Sequence, residues 1–132
     1  QSGRLRPAAV KPIKNAASKR RIRVSIVSVL EVALLECKGR LGLPVGPMDT
    51  ARACPSAHEV VGLDPGIAVD GVRLPGGFHA DPADRFLVAT ARLANSVLVT
   101  RERRMLEYGR QGHVIVLPGA THRRARWCTL IR

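Results

Sequence analysis

Apolar residues recur along this chain in two rhythms, one helical and one extended, and they trade places from end to end. In residues 7–20 (PAAVKPIKNAASKR), Ala9, Val10, Ile13, Ala16 and Ala17 fall at helical spacing. Pro12 sits inside that run and is expected to break or delay the helix. Residues 22–27 (IRVSIV) are rich in β-branched residues and predict a strand. Ser28 followed by Glu31 has the form of a capping box and predicts a helix of about ten residues, stopping near Gly39. Residues 41–58 hold three prolines and two glycines and are read as loop with room for a short helix. A short strand is expected at Val60–Leu63, and Asp64-Pro65 opens a helix to about Val72. A Pro-Gly-Gly turn follows. Asp81-Pro82 repeats the cap-and-proline arrangement and starts a helix to about Leu93. Val97–Thr100 is expected as a strand, Glu102–Tyr108 as a short helix stopped by Gly109, and Val114–Leu117 as a last strand; Gly109 and Gly112 read as turn glycines. Strands alternating with helices imply βαβ units, a parallel sheet and helices on both faces.

At 132 residues the chain has the length of one domain, and 45% apolar residues suit a globular core. With 3% aromatics that core must be built from Val, Leu, Ile and Ala, and a base-stacking platform is disfavoured. The most apolar stretch, Ser25 to Cys37, is interrupted by Glu31 and Glu36 and is too short to span a bilayer. The basic start lacks the pattern of a signal peptide. Cys37, Cys54 and Cys128 show no metal spacing and read as reduced thiols, which points to the cytoplasm. A chain that begins with Gln reads as a processed or truncated product.

The net charge is +12, and its distribution matters more than its size. Residues 1–24 carry eight Lys/Arg and no acid, residues 118–132 carry four Arg and no acid, and residues 25–117 carry ten of each sign. The domain is therefore expected over 1–117, with a basic tail over 118–132. Such flanks favour phosphates through counterion release, although solvated tails without a ligand have the same composition.

Three acids stand where a strand ends or a helix begins: Glu31, Asp84 and Glu102. A parallel sheet brings such positions to its carboxyl edge. Clustered carboxylates repel unless a cation lies among them, and an all-oxygen set selects Mg2+ or Mn2+ over zinc. Such ions activate water and hold the oxygens of a phosphodiester. Each acid also has a local explanation. Glu31 completes a capping box, and Asp84 and Glu102 favour helix N-termini. Asp81 is an N-cap candidate with a metal role as the alternative. Thr100 offers a hydroxyl, and Arg85, Arg101 and Arg103 flank the acids as phosphate ligands or as solvated or ion-paired arginines. The four histidines show no metal spacing, and no nucleotide-binding glycine motif or nucleophile elbow is present.

The run FHADPADRFLVATARLANSVLVTRERRMLEYGRQGHVIVL, from Phe78 to Leu117, resembles the C-terminal half of PIN-domain ribonucleases of the VapC toxin type. The carriers of the resemblance are DPADR, VATA, LVTRE and the YG pair. Upstream, VSIVSVLEVALLECKGRLGLP is similar to their second strand and following helix. The resemblance covers about Pro7 to Leu117. It implies a PIN-like three-layer α/β/α fold and a metal-dependent endoribonuclease of a toxin–antitoxin pair. The implied partners are an RNA substrate and a cognate antitoxin, with homodimers common. It places metal-site acids at Glu31, Asp84 and Glu102, gives Thr100 an assisting role, and leaves Asp81 a less defined one. Two departures accompany it. The family's first strand, which ends in an aspartate, has no counterpart in residues 1–132, and Glu102 stands where Asp is usual. They keep open a catalytically inactive form that binds antitoxin or nucleic acid without turnover.

Overall fold

The computed structural model describes residues 7–39, 59–119 and 129–131. The loop expected over 41–58 lies outside them. Helix α1 (Pro7–Ser18) comes first, then β1 (Ile22–Ser25), α2 (Ile26–Cys37), β2 (Glu59–Val61), α3 (Pro65–Val72), α4 (Pro82–Leu93), β3 (Val97–Thr100), α5 (Arg103–Arg110), β4 (Val116–Pro118) and β5 (Thr129–Ile131).

Two helix starts follow their Asp-Pro signals. Asp64 accepts a hydrogen bond from the Ile67 amide at 2.8 Å, and Asp81 accepts one from the Ala83 amide at 3.0 Å, each with proline in the first turn. Three expectations need correction. Pro12 does not break α1, which is held down by Ala9 and Ala16, both 0% exposed. The capping box Ser28–Glu31 is not used: Ser25 caps α2 instead by accepting from the Val27 amide at 3.1 Å. The first strand therefore ends at Ser25 and the helix starts one turn early, with Ser28 buried inside it. Gly109 lies within α5 and does not stop it; its missing side chain lets Val116 of β4 pack against the helix.

The five described strands form one sheet in the order β2-β1-β5-β3-β4. β1 pairs parallel with β2, and β3 with β4. β5 runs antiparallel to both neighbours, with Leu130 opposite Arg23 on one side and Leu98 on the other. β1 and β3 are consequently parallel to each other, and Ser25 and Thr100 end at the same edge. Each face of the sheet carries a core. One gathers Val27, Leu87, Val88, Ala91, Leu98, Met105, Tyr108 and Leu130 beneath the helices that follow the strands. The other gathers Ala16 of α1 with Ile22, Val99 and Ile131. The neighbours Leu98/Val99 and Leu130/Ile131 point to opposite cores, as the two-residue period of a strand requires. The result is the expected α/β/α sandwich, with one antiparallel strand in a mainly parallel sheet.

Candidate nucleic-acid site at the carboxyl edge

β3 ends in a tight hydroxyl-bonded turn. Thr100 is 2% exposed; its hydroxyl accepts from the Glu102 amide at 3.1 Å and donates to Met105 Sδ at 3.6 Å. Its visible work is to hold Glu102 at the start of α5. Glu102 is the N-cap residue there, but its carboxylate makes no capping bond. Across the edge, the first turn of α4 holds Asp84, 5% exposed. Asp84 Oδ2 stands 3.0 Å from His79 Nε2. His79 Nδ1 accepts from the Asp81 amide at 3.4 Å, while Nε2 lies close to the Asp84 carboxylate without the alignment of a hydrogen bond.

His79 registers the charges of the whole edge. Burial lowers its pKa most, the arginine charges of Arg104 and Arg85 lower it further, and Asp81 and Glu102 pull it the other way. The net direction is down, so the ring is neutral near pH 7. Asp84 is in contact with this imidazole, and the charges of Asp81 and Glu102 reach it. Glu31 stands half-buried on α2, which packs against α4. Because α2 starts at Ile26, Glu31 lies six residues past the strand end, about 9 Å along the helix axis.

The donor set suits a hard cation, but its arrangement does not: among the described residues no three Asp, Glu, His or Cys side chains converge closely enough to hold a metal ion. The acids that would hold Mg2+ or Mn2+ are those the resemblance names, Asp84, Glu102 and Glu31. Asp84 faces an imidazole, and Glu31 stands in the second turn of its helix.

The flanking arginines divide by role. Arg85 is committed to the backbone: Nε donates to His79 O at 2.8 Å, one terminal nitrogen to Gly71 O at 2.9 Å, and the other to Phe78 O at 2.7 Å. It braces the loop before α4, so the expectation that it holds phosphate is not matched by its contacts. Arg101 is half-buried, and its Nε has no hydrogen-bond partner among the described residues. Arg103 is exposed and lines a cleft of about 490 Å3 between the Gly76–His79 turn and α5. Sequence reasoning missed His79, Arg104 and Gln111, which also line it. Metal spacing does not single out His79. Its signal in the sequence is a place two residues before an N-cap, where the chain folds back and lets residue i meet i+5.

The cleft wall is stiff. The rings of His79, Phe78, Tyr108 and His113 follow one another at centroid distances of 4.3, 4.8 and 4.6 Å. The Tyr108 hydroxyl donates to Pro75 O, and burial raises its pKa above the usual tyrosine value.

No described helix is long and apolar enough to cross a membrane. The PIN domain model matches residues 2–111. Ribonuclease VapC22 of Mycobacterium tuberculosis is 33% identical over 102 residues, which span 77% of this chain and 76% of that protein. No solved structure matches significantly. With DPADR opening α4, LVTRE leaving β3 and the α/β/α layers in place, the chain belongs to the PIN-domain family, among its VapC-type ribonucleases.

Proposed function

We propose that this chain acts on RNA as an endoribonuclease of a toxin–antitoxin module, in the cytoplasm, held in check by a cognate antitoxin protein and working as a homodimer. Mg2+ or Mn2+ is the expected cofactor. The observation that supports this most is Asp84: a carboxylate 5% exposed at the carboxyl edge of the sheet, touching an imidazole that lines an arginine-walled cleft. Buried ionisable groups beside a cleft at this edge are the usual place for chemistry. Asp84 and Glu102, held by Thr100, are the groups assigned to cleavage. Glu31 and Asp81 are assigned supporting places in the same acidic set, and Arg101 and Arg103 the substrate phosphates.

A second reading is favoured by the lack of a three-acid convergence among the described residues. In it the chain binds RNA or antitoxin without turnover. One experiment separates the two. Purified chain is incubated with a mixed single-stranded RNA and Mn2+, with EDTA as control. The first reading expects cleavage that EDTA abolishes and that Asp84→Asn lowers by about 10²-fold or more. If neither the chain nor Glu102→Asp cleaves, while RNA is retained with steep salt dependence, the second reading replaces it.

A further inference from the structure

The cleft beside the acids has features that the carboxylates do not explain. It has two unlike walls. One is the turn at Gly76 and Gly77, both with left-handed backbone, φ +75° and +73°. The other is the outward side of α5, with Arg103 and Arg104 in its first turn and Gln111 just past its end. The glycines are not interchangeable. A Cβ on Gly76 would meet His113 Nε2 at 2.4 Å, so Gly76 closes the wall against the ring series. A Cβ on Gly77 would meet nothing within 4 Å, so Gly77 opens on unfilled space.

About 490 Å3 lies within the roughly 300–1,000 Å3 range of small-ligand sites. The polar lining is graded along its length. Cationic guanidiniums stand at the end next to His79, in the first turn of α5, where the helix dipole adds positive potential. A carboxamide and the carboxylate of Glu107, itself tied to Arg110 at 2.8 Å, stand at the far end. Phe78 and Tyr108 are 7% and 3% exposed, so the rings form a floor and offer little stacking face. A ligand that matches is anionic at one end and carries hydrogen-bond donors and acceptors on a flat body at the other.

We propose that this cleft is a subsite for one nucleotide of single-stranded RNA, neighbouring the phosphate at the acidic edge, with its phosphate against Arg103 and Arg104 and its base or ribose edge against Gln111. This rests on the RNA reading above and assigns it a place. Gly77 admits the nucleotide because no side chain there occupies the space.

Binding of a fluorescent single-stranded oligoribonucleotide in EDTA tests the subsite without cleavage. Arg104→Ala and Gly77→Asn act from opposite walls, and Asn tolerates the left-handed backbone at Gly77. Each is expected to weaken binding about tenfold. Arg73→Ala, which removes an equal charge from the exposed end of α3, is expected to change it less than about twofold. A melting curve shows that each variant is folded, and Arg104→Lys is expected to recover part of the affinity. Equal losses for Arg104→Ala and Arg73→Ala would mean diffuse charge attraction and overturn the subsite, as would unchanged binding of Gly77→Asn. Stronger binding of an acidic peptide than of RNA, with the same two variants impaired, would assign the cleft to a protein partner and overturn it equally. If the wild type binds RNA but never cleaves it, catalysis fails and the subsite stands. If cleavage occurs and the variants leave KM unchanged, the subsite fails and catalysis stands.

Discussion

Gly109 offers a quantitative check on the packing that holds the cleft wall in place. It lies in the last turn of α5, and a Cβ there would sit 2.2 Å from Val116 Cγ2, 3.1 Å from Cγ1 and 3.2 Å from Cβ. Val116 is β-branched and held in β4, so its methyls cannot swing aside. Gly109→Ala gains about 1 kcal/mol of helix propensity. Against this stands overpacking of a stiff contact, about 1–3 kcal/mol, which at 2.2 Å belongs at the upper end. The net expectation is a loss of about 2 kcal/mol. Val116→Ala alone removes two half-buried methyls and costs about 1 kcal/mol. In the double variant the new methyl occupies the space that Val116 vacates, the propensity gain is kept, and the remaining 3.2 Å contact needs only a few tenths of an ångström of adjustment. Stability should return to within about 1 kcal/mol of wild type, a coupling of about 2 kcal/mol. Chemical denaturation of the four proteins measures it. If Gly109→Ala stabilises by itself, or the two changes add within about 0.5 kcal/mol, the contact is not what demands glycine here.

Two further outcomes follow from single side chains. Removing the Arg85 guanidinium by Arg85→Met strips hydrogen bonds from the carbonyls of Gly71, Phe78 and His79, and should cost about 2–4 kcal/mol in denaturant unfolding, against less than about 0.5 kcal/mol for the exposed Arg73→Ala. Tyr108, the chain's single tyrosine, has its pKa raised, first by burial. The unfolded phenol releases its proton near pH 10 and the folded one above it, so this contribution is intact below pH 10 and is lost as pH rises through the folded value. Tyrosinate absorbance, which has one source in this protein, should titrate above 10 in the folded chain and near 10 in denaturant, and Tyr108→Phe should flatten the alkaline fall in stability.

Where local chemistry decides structure, the chain was readable. Asp64-Pro65 and Asp81-Pro82 each supply a cap oxygen and a preset φ at the right place, and both helices start as those residues dictate. Where two local signals compete, tertiary packing chose. Ser25 and Ser28 are both competent caps; the earlier one prevailed, and Glu31 falls in the second turn of α2 instead of the first. Gly109 after Tyr108 looks like a stop signal, yet what it satisfies is the approach of Val116 from another element, which no local pattern encodes. His79 and Arg104 became visible only once the turn before α4 and the start of α5 were seen to face one cleft.

The strand that sequence could not show explains most about the site. Thr129–Ile131 is too short for a two-residue period to register and follows an arginine-rich run, so it read as tail. Its place is central. β1 and β3 are parallel and lie one strand apart, and β5 fills the gap with Leu130 in one core and Ile131 in the other. That closes two apolar strand edges and satisfies their backbone groups. It does so in the opposite direction, however. A parallel strand in that gap would deliver its last residues to the carboxyl edge, beside Ser25 and Thr100. β5 instead presents its first residue there, and none of Thr129, Leu130 and Ile131 is an acid. The family resemblance puts an aspartate at the end of a first strand. Among the described residues the sheet's centre contributes no carboxylate to draw Asp84, Glu102 and Glu31 around a cation. β5 therefore ties β1 to β3 without adding an acid to the edge where Asp84 and Glu102 stand, and RNA binding and RNA cleavage are separate measurements in this protein.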